Sequence, residues 1–551
     1  MYFMFNHFFN GNLINAQSRG IAVPAMILAV SAVASRLLGV LRDWLLAARF
    51  GAGPDLDVYF AAFRIPDFIY NILVFGGITV AFLPLFSDYY EKDRKSAWRF
   101  ANNILNVFFA FLVLLSAILF AFTPFLMNYV APGFSPEQSA QTVFLSRLMF
   151  LSPIIFGIAS IFSGVLQYFK KFLAYSLAAL FYNLGIIAGI VWLAPTMGIM
   201  GVGIGVIAGA LAYLIIQIAP AMKSGFLWRP VFALGDPSLR RVFRLMLPRT
   251  AGIAANQINL IVPTVIGSAL AAGSIAVFNL SNNIYSLPVG IIGVSFATAA
   301  FAEFSKYAAA GQFDELARKF SAACRQIGYL SVPAAFLIFV ARDPIINFLY
   351  YHGQFTREAA SLVSASLGIF CLGIYFAAMM PVIFRLFFAL RDTASPTITT
   401  LIAVAANIAM NYWFVAALQE GNFAQAARDI FSLNGVADVA VLGLPLAYTA
   451  ANILQFGMLW ILIYRKKSGL ARTKEIASSL FKSLAAGILM AIAVYLVIGI
   501  VPVSGRIADF LALVAAAAIA AAVYFPATFL LRSPEIAAAV YLLKSKWSKK
   551  H

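Results

Sequence analysis

Charge is scarce in this chain. Of its 551 residues only 11% are Asp, Glu, Lys or Arg, where a soluble domain carries roughly 25%. Acidic residues are scarcest, 21 against 39 basic ones, for a formal net charge of +18. Cysteine occurs twice, at Cys324 and Cys371, and histidine three times, at His7, His352 and His551. Two cysteines in or beside apolar runs make no disulfide framework and no metal spacing; buried, inert thiols are expected. There is no phosphate-binding loop with its lysine, no zinc-binding histidine pair and no nucleophile elbow. The chain therefore reads as a non-enzyme, with no catalytic residue, cofactor, metal or ATP hydrolysis of its own. The first 20 residues lack the basic start, apolar centre and small-residue cleavage site of a signal peptide. They read as a short cytoplasmic lead-in.

What the chain has is apolar length. It is 62% hydrophobic, with a mean hydropathy of +0.90. Runs long enough to cross a bilayer, about 20 residues each, recur along nearly all of it. The expectation is an all-α polytopic membrane protein; a barrel would show short alternating segments. Fourteen spans are predicted, near 21–48, 58–87, 100–128, 139–167, 172–194, 198–221, 247–270, 274–304, 318–341, 358–389, 396–417, 440–464, 477–501 and 507–531.

The basic excess raises nucleic-acid binding, but its placement argues for topology. Loops after even-numbered spans hold Lys92, Arg94, Lys95 and Arg99, then Lys170 and Lys171, then Lys223, Arg229, Arg240, Arg241 and Arg244. Loops after odd-numbered spans are poor in them. Basic loops stay cytoplasmic, which predicts both termini inside. The tail "KSKWSKKH" fits, and can touch anionic headgroups.

The chain also resembles itself. "FTPFLMNYVAPGFSPE" at 122–137 and "ARDPIINFLYYHGQFTRE" at 341–358 share proline, tyrosine, Gly, Phe, Ser/Thr and Glu in order. "AFLPLFSDYY" at 81–90 has a weaker echo at 300–309. Such repetition suggests duplication. Six spans separate the copies, so both share one orientation, about a pseudo-two-fold along the membrane normal. The expected organisation is a six-helix bundle over 1–221, a cytoplasmic amphipathic linker over 222–246, a second six-helix bundle over 247–465, and two extra helices with a basic tail over 466–551. A plain solvated linker is the alternative for 222–246.

Charges at membrane depth cost at least about 2.5–3.5 kcal/mol each and usually face a bundle interior or a watery cavity. Span 1 carries Arg36, Arg42 and Asp43; span 2 carries Asp57, Arg64 and Asp67. Span 7 has Asn256, Gln257 and Asn259; span 8 has Asn279, Asn282 and Asn283. These pairs are symmetry mates, and would line a cleft between bundles. Arginine grips phosphate oxygens in a bidentate fork, so Arg36, Arg42 and Arg64 suit an anionic, phosphorylated ligand. The competing reading pairs them with Asp43, Asp57 and Asp67 as helix pins. Arg147, Arg325 and Arg385 read as helix-end snorkellers or structural pairs. Asn407 and Asn411 fit either a monovalent cation or, more often, an interhelical hydrogen bond. Gly201, Gly205 and Gly209 read as close helix packing.

On these residues the chain resembles the MurJ/MviN family of lipid II flippases, within the MOP superfamily of multidrug and oligosaccharidyl-lipid exporters. The motifs are "SRLLGVLRD" (35–43), "FGAG" (50–53), "AFRIPD" (62–67), "AFLP" (81–84), "APGF" (131–134), "QINL" (257–260), "YHGQFT" (351–356) and "RLFFALRDTASPT" (385–397). The resemblance implies movement of the undecaprenyl-diphosphate-linked disaccharide-pentapeptide, lipid II, from the inner to the outer leaflet of a bacterial inner membrane. It also implies a cationic cavity formed by helices 1, 2, 7 and 8, and a tail groove on the last two helices. Substrate-binding residues expected on this basis are Arg36, Arg42, Arg64, Asp57, Asn256, Asn259 and Asn283. Partners are lipid II, membrane lipids and candidate cell-wall synthesis proteins, with no nucleic acid. Where many members carry further span-2 arginines and an acidic residue, this chain has Tyr70, Asn71 and Phe75; where many carry a span-8 arginine it has Asn283. A flippase working by alternating access is the expected function. Alternatives are a flippase for another prenyl-diphosphate oligosaccharide, a cation-coupled exporter of amphiphilic drugs, and a non-transporting scaffold.

Overall fold

The computed structural model describes residues 22–433, 435–466, 469–500 and 505–536. The lead-in, the tail, His7 and His551 lie outside them, and Asn256 lies outside the residues whose side chains are described. Among the described residues every regular element is helical. In chain order the helices are α1 (Ala22–Phe50), α2 (Pro54–Ile69), α3 (Thr79–Lys92), α4 (Arg94–Val130), α5 (Pro136–Met149), α6 (Leu151–Tyr168), α7 (Phe172–Ala188), α8 (Ala194–Met197), α9 (Ile199–Met222), α10 (Pro237–Gly267), α11 (Ser274–Pro288) and α12 (Ser295–Ala309). There follow α13 (Phe313–Val340), α14 (Arg342–Leu349), α15 (Arg357–Cys371), α16 (Ile374–Ala389), α17 (Ala394–Gln419), α18 (Asn422–Phe431), α19 (Gly443–Lys466), α20 (Thr473–Ile500) and α21 (Arg506–Leu530).

Among the described residues, each of the predicted segments falls mainly on helix. Ten helices among the described residues are long and apolar enough to cross a membrane, and α15 with α16, bent by 48°, makes an eleventh. The other three predicted segments are α1, the stretch 54–92 and α10, and all carry charged or amide side chains. Two compact units emerge, 1–275 and 276–551.

Local sequence explains where helices start. Asp93 accepts from the Lys95 and Ser96 amides and opens α4. Ser135 and Gln138 form a reciprocal capping box at α5, with Pro136 in the first turn. Thr356 caps α15 through the Ala359 amide, and Asp236 caps α10 through the Ser238 amide. Each cap satisfies amides that the helix itself leaves unpaired. The segment containing Arg240, Arg241 and Arg244 is therefore the first part of the 31-residue α10, which continues into span 7; helix is absent from 223–236.

Three helices are interrupted by π-helical turns: Tyr70–Ile78 between α2 and α3, Gly189–Leu193 between α7 and α8, and Val289–Val294 between α11 and α12. Inside the first unit, the predicted glycines set the α7–α9 contact. A Cβ on Gly185 would stand 2.2 Å from Gly209 Cα, and one on Gly205 would stand 2.7 Å from Gly189 Cα. Backbones this close gain dispersion contacts that lipid cannot match. Phe82, Phe86, Ile104 and Val165 form part of this unit's core. In the second unit Phe304, Phe320, Leu386 and Leu459 do the same. Both cysteines are buried and unbridged.

Candidate ligand site

The first unit gathers most of the predicted polar residues. Helix α1 lies against α7 along a polar seam. Ser31 Oγ donates to Ser176 Oγ at 2.9 Å, and Asn183 Nδ2 donates to Ser35 Oγ at 3.3 Å. One step further along the seam, Arg42 NH1 reaches Asn183 Oδ1 at 3.5 Å. The spacing of Ser176 and Asn183, two helical turns apart, keeps both on one face.

Arg42 is committed locally. Its Nε and NH2 both donate to Asp43 Oδ1, at 2.9 and 2.8 Å. The Arg42 side chain is a quarter exposed, whereas Asp43 is buried. The pairing reading thus accounts for part of Arg42's hydrogen-bonding capacity. Arg36, on the same helix, is exposed. Arg64 is half-buried, and its Nε donates to Thr264 Oγ1 on α10 at 2.6 Å. Asp67, one turn along α2, lies within electrostatic reach of both Arg64 and Arg42. Tyr59 and Tyr182 share this neighbourhood. The arrangement is two guanidinium groups from different helices with two carboxylates, Asp43 and Asp67, walled by tyrosines.

Asp57 does something else. It is 2% exposed, and its Oδ2 accepts the Gly273 amide at 2.6 Å. Gly273 has φ +92°, and a Cβ there would stand 2.2 Å from the Ala52 carbonyl oxygen. A side chain is thus disfavoured twice, by backbone conformation and by space. The "APGF" turn joins this end: the Gly133 amide donates to Ser268 Oγ at 3.2 Å, and a Gly133 Cβ would stand 2.4 Å from Ala269 Cα. Start of α2, end of α10 and two predicted turns are so held together.

Of the span-7 amides, Gln257 is buried and Asn259 is half-buried. In the second unit Asn283 is half-buried, and its carbonyl accepts from Ser286 Oγ at 2.8 Å. Two of the span-2 positions that distinguish this chain make internal contacts; the Phe75 side chain lies outside those described. Asn71 Nδ2 donates to the Asp67 carbonyl at 2.9 Å, and the Tyr70 ring lies 5.0 Å from that of Phe156.

Other sequence candidates also take definite places. Arg147 lies 4.7 Å over the Phe120 ring, and Arg385 lies 4.8 Å over that of Phe301. Arg325 pairs with Glu475 and Glu535. Asn411 Nδ2 bonds Asn407 Oδ1 at 2.9 Å along their own helix. Asn183, Thr264, Tyr59 and Tyr182 were not selected from sequence. Only a polar residue inside an apolar run marked Asn183; Thr264 and the tyrosines carried no such mark.

A family model described as lipid II flippase MurJ matches residues 46–516. The chain belongs to this family. It is 30% identical to a protein of Rhizobium tropici named probable lipid II flippase MurJ, over 73% of this chain and 77% of that one. Among solved structures, a lipid II flippase MurJ in an inward closed conformation superposes with a TM-score of 0.74 at 23% identity, covering 92% of this chain and 98% of the other. An inward-facing multidrug-resistance MATE transporter of the MOP superfamily shares the fold at a TM-score of 0.65 and 13% identity, covering 79% and 95%. The chain is thus a multi-pass membrane protein of a bacterial transporter family.

Proposed function

We propose that this protein moves lipid II from the inner to the outer leaflet by alternating access. Arg36, Arg42 and Arg64 hold the diphosphate, and the prenyl chain stays in lipid. One observation carries the reading: in a member of the lipid II flippase family, arginines on α1 and α2 come together beside Asp43 and Asp67. Burying such cations is costly, and a diphosphate is a ligand that repays it through charge-assisted forks. Arg42 exchanges part of its Asp43 contact for the ligand, and Arg64 is oriented by Thr264. Asp57 serves as a latch on the Gly273 turn, so its role is to hold one end of the unit shut.

The proposal includes fourteen spans, cytoplasmic termini, a cytoplasmic 222–246 segment and two duplicated six-helix bundles. Recurrent backbone features about 220 residues apart support the duplication. The π-helical turns begin at Tyr70 and Val289. The capping residues are Ser135 and Thr356. Lys170 and Arg391 both take a left-handed conformation, with φ 56° and 60°.

Tyr70 and Asn71, occupied in internal contacts, favour a second reading, a prenyl-diphosphate carrier with a less anionic headgroup. Depletion of the protein separates the two. Accumulation of lipid II supports the first reading, and accumulation of another lipid-linked oligosaccharide with normal lipid II overturns it. Single cysteines at Ser135 and Ser224, in a background lacking Cys324 and Cys371, test orientation with an impermeant thiol reagent on intact cells. Labelling is expected at position 135 only; labelling at position 224 only reverses the topology.

A further inference from the structure

Between α9 and α10 the chain "FLWRPVFA" (226–233) runs without helix across α4, held by three buried asparagines. Asn102 donates to the Leu227 carbonyl at 3.0 Å and accepts the Arg229 amide at 2.7 Å. Asn103 donates to the Ala233 carbonyl at 3.1 Å and accepts the Ala233 amide at 2.7 Å. Asn106 donates to the carbonyls of Arg229 and Val231, at 2.7 and 3.1 Å, and accepts the Trp228 indole N–H at 3.0 Å. All three amides are at most 3% exposed. They act as a sheet neighbour for peptide groups that would otherwise be left unpaired. The cost of burying them is met by these bonds.

The strap roofs a cavity of about 410 Å³ whose other walls are α4, α6 and α9. Phe162 and Ile218 line it inside, Phe109 lines it and is exposed, and Asn106 is its single polar side chain. Met222, Trp228 and Phe232 line it and are also exposed, so they form its mouth. This is a ligand-sized space, apolar within and edged by an indole whose polar end is already satisfied.

Two cations stand beside the α9 end of the cavity, next to Met222. Lys171, between α6 and α7, is 5% exposed, and its Nζ donates to the Pro220 carbonyl at 2.9 Å. Ser224 Oγ donates to that same carbonyl at 2.9 Å. Among the described residues no carboxylate lies within ion-pair distance of Lys171. Lys223, next to the mouth residue Met222, repels it, and burial and that repulsion lower the affinity of Lys171 for its proton. The negative end of α9 explains one cation there; it does not explain two brought together. Arg229, beside Trp228, is exposed on the strap.

We propose that the strap cavity is a binding site for an anionic phospholipid, with one acyl chain between α4, α6 and α9 and the phosphate over Lys171 and Lys223. The strap holds the chain in place and the two ammonium groups select the headgroup charge. The site is separate from the arginines of α1 and α2, and the proposal does not rest on the transport reading.

The full chain in phosphatidylcholine vesicles tests it, with Trp228 as the reporter. Its fluorescence is taken as the difference between the protein and Trp228→Phe. Quenching by brominated phosphatidylglycerol is compared with quenching by brominated phosphatidylcholine. The expected result is a preference of about fivefold for the anionic lipid, falling below about twofold in Lys223→Gln. Lys223 is exposed, so this variant keeps the fold. Equal quenching by both lipids overturns the proposal, because the groove then holds ordinary boundary lipid. Absence of quenching by either overturns it in favour of a protein covering. A preference unchanged in Lys223→Gln, or abolished by millimolar inorganic phosphate, also overturns it.

Discussion

Residues 54–92 and Ser274–Ala309 both run as α-helix, π-helical turn and α-helix. The turns start eleven residues before the related "AFLPLFSDYY" and "AFAEFSKYAA" stretches. Their polar residues differ. The first carries Asp57, Arg64 and Asp67; the second carries Asn279, Asn282 and Asn283. The same backbone device carries charged side chains in one stretch and amides in the other. A π-helical turn often marks a functional hinge, and a hinge is useful in both halves of a rocking transporter. A phosphate grip is needed only where the headgroup sits. The difference fits the proposal that the diphosphate is held in the first unit.

The comparison breaks most easily at the charges. Arg42→Ala leaves the buried Asp43 without the guanidinium that neutralises it, at a cost of about 3–5 kcal/mol. Membrane protein should fall steeply, and Asp43→Asn in the same chain should restore it. Unchanged levels in Arg42→Ala would show that the pair does not hold the fold. Arg64→Ala is expected to differ. It loses a hydrogen bond to Thr264 worth about 1 kcal/mol and one of the two guanidinium groups near Asp67, where Arg42 remains, so the protein should persist better than Arg42→Ala while growth of a flippase-depleted strain fails. Arg64→Lys should rescue in part, since charge remains and the fork is lost. Full growth with Arg64→Ala at normal expression removes that residue from the site.

Two glycine turns sharpen the contrast at smaller scale. Gly273 and Gly311 both have positive φ, +92° and +69°. Gly311→Ala meets open space, so only the left-handed backbone costs, at about 1–2 kcal/mol. Gly273→Ala adds a collision with the Ala52 carbonyl and threatens the bond to Asp57. Its thermal transition should therefore fall further than that of Gly311→Ala. Equal shifts would show that the Asp57 latch contributes little. The smallest effect concerns the α4 cap. Hydrogen bonds from Ser96 and Lys95 hold the Asp93 carboxyl below its ordinary value. A depressed value stabilises the helix start above the ordinary carboxylate range, and the benefit disappears as pH falls through the folded value. Hydrogen exchange in the first turn of α4 should rise on acidification and be flatter with pH in Asp93→Asn.

Much of the fold was legible because membrane spans are written in composition. Apolar length marked the long helices, ten of membrane length among the described residues, or eleven with the bent pair, and Ser135, Thr356 and Asp93 sit where cap residues belong. The π-helical turns were not legible: Gly76, Gly77, Gly290 and Gly293 read equally well as packing glycines. Nor was the strap, since Asn102, Asn103 and Asn106 bind peptide groups about 125 residues away, and no local pattern announces such partners. Within the site, the charged residues stood out against apolar neighbours. Whether Arg42 faces a ligand or Asp43 was undecidable from sequence, because adjacency in the chain does not fix where a long side chain turns. Thr264, which orients Arg64, is an unremarkable threonine until α2 and α10 are brought together.

The most direct measurement of the central claim is binding of lipid II to the purified full chain by native mass spectrometry. Arg64→Ala and Asn283→Ala are compared with the unaltered protein. Loss of a charge-assisted contact to a diphosphate should weaken binding by about tenfold or more, since such bonds contribute about 1.5–3 kcal/mol. Asn283→Ala should stay within about threefold, as expected for a neutral contact near the low end of hydrogen-bond strengths. Equal affinities for all three proteins, or a larger loss in Asn283→Ala than in Arg64→Ala, would contradict a diphosphate held by the arginines of the first unit.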